Sequence, residues 1–194
     1  MTIQSNMAPH DSPRISPLAS DVLALDSCVT GNMDVIEQGI ALLGSLSDDD
    51  YQYVAAPYVN SSIGEHFRHS LDLYSSLMNE KQTGVIDYDF RRRGASVEAC
   101  RTTALRELEH IKQWLLALRS SDIYRHVEVK TEVSLHQQYS EQLTSSMARE
   151  LIFVAAHAIH HYALIRVSAL CCNAEVSAEF GIAPATASYL RGKA

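Results

Sequence analysis

The sequence predicts an all-α protein, a four-helix bundle with long crossover connections. Four segments carry apolar residues at the spacing of an amphipathic helix, and polar residues that can cap a helix precede two of them. The chain of 194 residues is also the size of one domain with a full hydrophobic core. A bundle is the simplest way for four such helices to bury their apolar stripes.

The first two helices are predicted in the amino-terminal half of the chain. Helix one runs from about residue 18 to residue 46, and the acidic residues 47–50 end it. Residues 60–62 can cap a second helix that continues to about residue 80. The inward positions predicted for this second helix are Ile63, Phe67, Leu71, Tyr74 and Met78.

The third helix is predicted from residue 96 to about residue 118, after a connection over residues 81–94 that crosses one end of the fold. Residues 124–133 alternate apolar and polar side chains, which predicts a short strand or β-hairpin in the link before the last helix. The inward positions predicted for the third helix are Val97, Cys100, Ala104, Leu108, Ile111 and Leu115.

The last helix is predicted over residues 147–172, with Ser145 or Ser146 as its cap. We expect the tail after Asn173 to pack irregularly on the bundle. Residues 1–18 carry three prolines and few apolar side chains, and they predict a flexible amino-terminal arm. Residues 19–194 are then expected to form a single domain.

Composition narrows the classes of function. The net charge of −7 argues against binding to nucleic acid, because phosphate contacts need clustered cations. Histidines interrupt the longest apolar stretch, so we expect no membrane role. The four cysteines show no paired spacing and no leader sequence is visible, which indicates a reduced, cytoplasmic protein.

The most informative feature is a pair of histidines, His157 and His161, inside the apolar last helix. Residues four apart project from one face of a helix, so two imidazoles at this spacing can bind one ion. A buried imidazole without a partner would cost about 1–3 kcal/mol, so a metal or a hydrogen bond must satisfy these rings. His160 lies to the side of this face, near its rim.

A third protein ligand is expected from a facing helix, and the second helix offers His66 and His69. By helical periodicity, His66 lies nearer the centre of the apolar face and His69 nearer its edge. Spacing alone therefore favours His66. The motif Glu107-x-x-His110 on the third helix matches half of a di-iron site, but such sites need two of these motifs, so a di-iron centre is not predicted.

The segment SIGEHFRHSLD from Ser62 to Asp72, together with the paired histidines of the last helix, resembles the DinB-like (DinB/YfiT) superfamily of metal-dependent proteins. Its members are four-helix bundles that hold a divalent metal through a histidine late in the second-helix motif and two ligands of the fourth helix. The resemblance spans about residues 20–172. It implies a DinB-like domain with His69, His157 and His161 as ligands, and His66 beside the site or as an alternative ligand.

The resemblance also implies a chemistry. Characterised branches use the metal to present low-molecular-weight thiols for transfer or isomerisation, so the cofactors expected here are a divalent ion, zinc, nickel or iron, and such a thiol. Three neutral imidazoles leave a cation an open position, as in catalytic sites. A metal-dependent transferase or hydrolase of a small-molecule substrate is the leading hypothesis. Because family members often dimerise, a homodimer is expected.

Three further residues are candidates for the site. Glu150, about two turns before His157 on the same helical face, is the candidate catalytic residue, because it could orient a ligand or shuttle a proton. Arg91 and Arg93 are candidates for binding the anionic part of a cofactor or substrate, since guanidinium groups match carboxylates and phosphates. The alternative to an enzyme is a non-catalytic metal- or ligand-binding bundle that serves in stress response.

Overall fold

Four long helices lie side by side in the computed structural model, which describes residues 25–193. The all-α bundle predicted from the sequence is thereby confirmed, while the predicted arm over residues 1–18 lies outside the described residues. The long helices are α1 (Ser27–Ser45), α3 (Ile63–Thr83), α4 (Arg101–Ala117) and α6 (Met147–Cys171). The shorter elements are helices α2 (Asp48–Tyr51), α5 (Ser120–Ile123) and α7 (Pro184–Arg191), a 3-10 turn (Ser96–Glu98), and strands β1 (Ile86–Asp87), β2 (His126–Glu132) and β3 (Ser140–Ser146).

Side-chain caps fix where the site-bearing helices begin. Ser62 accepts a hydrogen bond from the backbone N–H of Glu65, whose carboxylate accepts one from the N–H of Ser62. This reciprocal capping box satisfies two backbone donors at the start of α3. Ser146 caps α6 in the same position by accepting from the N–H of Arg149. Both starts agree with the predicted ones.

The ends of the other helices differ from the prediction. Asp26 caps α1 by accepting from the N–H of Cys28, so the described helix begins at Ser27 rather than near residue 18. The third helix starts with a 3-10 turn before α4 begins at Arg101. The tail is not wholly irregular, because Pro184 starts the eight-residue helix α7, and a proline suits the first turn of a helix.

The predicted hairpin is present in the link before α6. Strands β2 and β3 pair antiparallel, with Val129 opposite Leu143. A two-residue strand, β1, adds to β2 in parallel, with Ile86 opposite Val129. The sequence predicted no strand there, because two residues are too few for alternation to be visible. The Ser76 hydroxyl donates to the carbonyl of Asp87 at 2.8 Å, which ties this small sheet to α3.

Large aromatic side chains and one buried amide hold the bundle together around α6. The rings of Tyr162 and Phe180 stack with centroids 4.7 Å apart, which anchors the tail on the bundle. Tyr74 donates to the amide oxygen of Asn32 at 2.7 Å, and the Asn32 amide donates to the carbonyl of Leu151 at 3.0 Å. This chain of hydrogen bonds joins α1, α3 and α6 in the core.

Helix α6 is long and rich in apolar residues. By length and composition it could cross a membrane, contrary to the expectation that its histidines would interrupt the apolar run. A helix in the core of a bundle meets the same criterion, and α6 packs against α1 and α3.

The close approach at Gly64 provides a test of this packing. A Cβ atom there would lie 2.0 Å from the carbonyl oxygen of Glu98 and 2.8 Å from the Tyr51 ring. We expect Gly64→Ala to lower the free energy of unfolding, measured in urea, by at least about 2 kcal/mol, because backbone must move. Gly31→Ala on α1, where the Cβ meets nothing within 4 Å, is the control and should raise it by about 0.5–1 kcal/mol. Equal effects of the two changes would contradict the packing described.

Candidate metal centre

Three imidazoles from two helices converge beside the contact of α3 with α6. Nε2 of His69 lies 2.9 Å from Nε2 of His157, and Nε2 of His161 lies 3.1 Å from the same nitrogen. One ring nitrogen from each residue falls within 4.8 Å of the other two. All three side chains are only partly buried, so the cluster can be reached from solvent.

The donor set suits a divalent cation. A neutral ring nitrogen either donates or accepts one hydrogen bond, so Nε2 of His157 cannot make two good bonds to two neighbouring nitrogens at once. A tetrahedral zinc ion with bonds of about 2.0–2.1 Å separates its ligand nitrogens by about 3.3 Å. The observed separations of 2.9 and 3.1 Å lie just below that spacing. The three residues therefore form a group that could hold one metal ion.

His66 lies behind this group. It is buried, as its central position on the apolar face predicts, yet the converging nitrogen of α3 belongs to His69. Nδ1 of His66 instead lies 2.9 Å from Nδ1 of His161, the ring nitrogen that faces away from the cluster. Nε2 of His66 is buried without a hydrogen-bond partner among the described residues. His66 therefore contacts a candidate ligand through its outer nitrogen.

Burial keeps the imidazoles of the cluster neutral near pH 7. It lowers the pKa of His69 to about 4, with a further contribution from the positive charge of Arg91. It lowers the pKa of His161 to about 2, and the neighbouring histidines add to the effect. The pKa of His157 is also lowered, by burial first and then by His160 and Arg91. Neutral imidazole is the form that binds a metal.

A buried network of charges holds the loop that follows β1 against α3. The carboxylate of Asp72, three residues after His69, is fully buried. It accepts hydrogen bonds from Nε and the backbone N–H of Arg92, at 2.6 and 3.1 Å, and from Arg68 at 3.2 Å. Arg92 also forms a two-pronged ion pair with Glu107 of α4. This network was not predicted from the sequence, in which its members stand in separate segments.

The two arginines predicted to bind an anion lie in different surroundings. Arg91 is half-buried, and its guanidinium donates to the backbone carbonyls of Tyr88 and Phe90. Arg93 is exposed, two residues farther along the same loop. His160 is exposed on α6 beside the cluster, with its ring centroid 5.3 Å from that of His161, as the helical pattern predicts for a residue at the rim.

Glu150 is buried, and hydrogen bonds engage both of its carboxylate oxygens. One accepts from the hydroxyl of Tyr88 at 2.7 Å, and the other from Ser145 at 2.6 Å and from Arg149 at 3.0 Å. The ring of Tyr88 packs on that of Phe153, which in turn lies 5.8 Å from the ring of His157. In the described part of the chain, the contacts that connect Glu150 to the histidine cluster run through the rings of Tyr88 and Phe153.

Comparison with known proteins bears on the fold. No family model matches the chain. A stretch of 107 residues, 55% of the chain, is 27% identical to FK506-binding protein 5 of Rhizopus delemar, of which it spans 28%. The crystal structure of a DinB-like protein (YjoA) from Bacillus subtilis matches 78% of this chain and 96% of its own, with a TM-score of 0.53 and 16% identity. At that identity the likeness concerns the fold alone. The chain has the DinB-like fold.

Proposed function

We propose that this protein is a metal-dependent enzyme that acts on a small molecule by thiol transfer or metal-assisted hydrolysis. The observation that carries the proposal is the convergence of His69, His157 and His161 at a place open to solvent. A structural zinc site is closed by four protein ligands, whereas three histidines are typical of a catalytic one. The DinB-like fold supports the same reading.

The three histidines would hold the ion through Nε2 of each ring, the atoms that face one another in the cluster. Because imidazole suits zinc, nickel and iron alike, the ligands do not decide which of these three metals is bound. When bound, such a cation supplies a positive charge that lowers the pKa of a thiol or water beside it. A low-molecular-weight thiol is accordingly the cosubstrate we propose.

His66 acts in this proposal as a positioning residue. A histidine that binds a metal through Nε2 carries its proton on Nδ1, and a partner for that proton fixes the ring. Nδ1 of His161 meets Nδ1 of His66, which can accept the proton. The single ring proton of His66 then lies on its Nε2, which has no hydrogen-bond partner among residues 25–193. The buried ring thereby holds His161 in the form that binds metal.

Glu150 remains a proposed contributor to the chemistry, and its contacts favour a positioning role. Its carboxylate fixes the hydroxyl of Tyr88, and the Tyr88 ring supports Phe153 against His157. These two aromatic rings lie between Glu150 and His157. A proton shuttle through Glu150 would require its hydrogen bonds to Tyr88 or Ser145 to rearrange.

Metal content tests the ligand assignment. We expect the purified protein to bind about one divalent ion per chain, and His69→Ala, His157→Ala and His161→Ala each to lose it, because two imidazoles hold an ion poorly. His66→Ala should keep the ion with an affinity reduced by about 10-fold to 100-fold. The measurements are elemental analysis and competition with a chromophoric chelator.

The exposed His110 of α4 provides the control for this series, and His110→Ala should bind the ion as the parent does. If His66→Ala empties the site while His69→Ala retains the ion, the assignment is wrong. Turnover of a panel of thiol acceptors and esters should vanish with a chelator and return with the metal. A protein that binds the ion tightly and turns over none of the panel would instead be a non-catalytic binding protein.

Stability of the metal-free protein should fall in acid. The unfolded chain protonates its histidines near pH 6.5, whereas the folded protein resists protonation of His69 down to a pKa of about 4 and of His161 further still. The unfolded state therefore binds more protons below pH 6.5, and the free energy of unfolding should drop between pH 6.5 and pH 4. Urea denaturation across this range measures the drop. It should be smaller in the double variant His69→Gln with His161→Gln, and an unchanged slope would refute the cause given.

A further inference from the structure

The loop after β1 is fixed on both sides of Arg91. Asp89 accepts hydrogen bonds from the N–H of Glu132 at 2.6 Å and from the hydroxyl of Ser140 at 2.7 Å, which tie it to the hairpin. Arg92 is bound to the buried carboxylate of Asp72 on α3. Arg91 lies between these two anchors. The contacts of its neighbours Asp89 and Arg92 therefore fix its position, without an ion pair of its own to the described residues.

These anchors hold Arg91 near the part of α3 that carries His69. Asp72, which accepts from the neighbouring Arg92, follows His69 on α3 by three residues, less than one helical turn. The carbonyl of Tyr88 accepts a hydrogen bond from Arg91. The Tyr88 ring packs on the ring of Phe153, which in turn packs beside the ring of His157. The guanidinium charge lowers the pKa of both His69 and His157, which agrees with this proximity.

One edge of the Arg91 guanidinium makes no hydrogen bond to residues 25–193. Both of its hydrogen bonds to described residues come from Nη1, and both acceptors are neutral carbonyls of its own loop. Nε and Nη2 have no partner among residues 25–193 and are not enclosed. The next arginine, Arg92, is by contrast paired with Asp72 and Glu107. Arg91 is thus a half-buried cation near the cluster, and no carboxylate of residues 25–193 forms an ion pair with it, although the charges of Asp72 and Asp89 act on it from farther away.

We infer that Arg91 binds a carboxylate of the small molecule whose thiol or reacting group faces the three histidines. Nε and Nη2 form the fork that matches two carboxylate oxygens, and partial burial strengthens such a charge-assisted pair. This inference rests on the proposed function and adds the substrate class, a small thiol or ester that carries a carboxylate. Arg91 would be a specificity residue that orients the substrate without touching its reacting atoms.

Binding of two matched thiols to the cobalt-loaded protein tests the inference. Mercaptopropionate and mercaptopropanol differ in the carboxylate, and a thiolate bound to cobalt gives a charge-transfer absorption band that can be titrated. We expect mercaptopropionate to bind about 10-fold to 100-fold more tightly. Arg91→Gln should remove this preference and leave the affinity for mercaptopropanol unchanged, while Arg91→Lys should keep part of the preference.

Arg106→Gln is the control, because it removes an exposed positive charge whose one side-chain hydrogen bond to residues 25–193 is to Thr103 of its own helix. This variant should keep the preference for mercaptopropionate. The parent protein should also keep it when the ionic strength is raised moderately.

Equal affinity of the parent protein for both thiols would overturn the inference about Arg91 and leave the metal site intact. Absence of the absorption band with either thiol would count against the proposed function itself. Loss of affinity for both thiols in Arg91→Gln would show that Arg91 only shapes the loop, which also overturns the inference.

Discussion

The contact between α3 and α6 is the constraint on which the rest of the site depends. Phe67 and Tyr162, fully buried with ring centroids 5.7 Å apart, set the two helices against each other in the core. His69 follows Phe67 by two residues and His161 directly precedes Tyr162, and the same contact brings His69 opposite the histidine pair of α6. Three imidazole nitrogens held this closely cannot all be satisfied by hydrogen bonds to one another, and a bound ion would satisfy them. The packing of the bundle thus prepares a site whose ligands are already neutral.

A second constraint is the buried carboxylate of Asp72. A charge removed from water is costly unless it is paired and hydrogen-bonded, and Asp72 receives three donors from Arg68 and Arg92. These bonds fasten the loop after β1 to the helix that carries His69, and through Glu107 they also reach α4. The network thereby fixes a long connection against the helix that carries His69. The guanidinium of Arg91, which forms no ion pair with residues 25–193, gains a fixed position because its neighbours Asp89 and Arg92 are bound to other elements.

Much of the fold could be predicted from the sequence, because helical periodicity and capping residues are local signals. The capping box at Ser62 and the cap at Ser146 mark the two helices that carry the histidines. Periodicity correctly placed His66 inside the core, but burial and convergence are different properties, and only the relative rotation of α3 and α6 decides which nitrogen meets His157. The resemblance of the motif on α3 favoured His69. The charge network around Asp72 joins three separate segments, so no local pattern could reveal it.

The central claim is that imidazoles of α3 and α6 together bind one cation and leave it a position for a substrate. A crystal structure of the metal-loaded protein, with diffraction recorded on both sides of the absorption edge of the metal, tests it most directly. We predict one anomalous peak about 2.0–2.2 Å from Nε2 of His69, His157 and His161, with a water or a thiol as a further ligand. A peak bonded to His66 instead of His69, or no peak at the cluster, would contradict it.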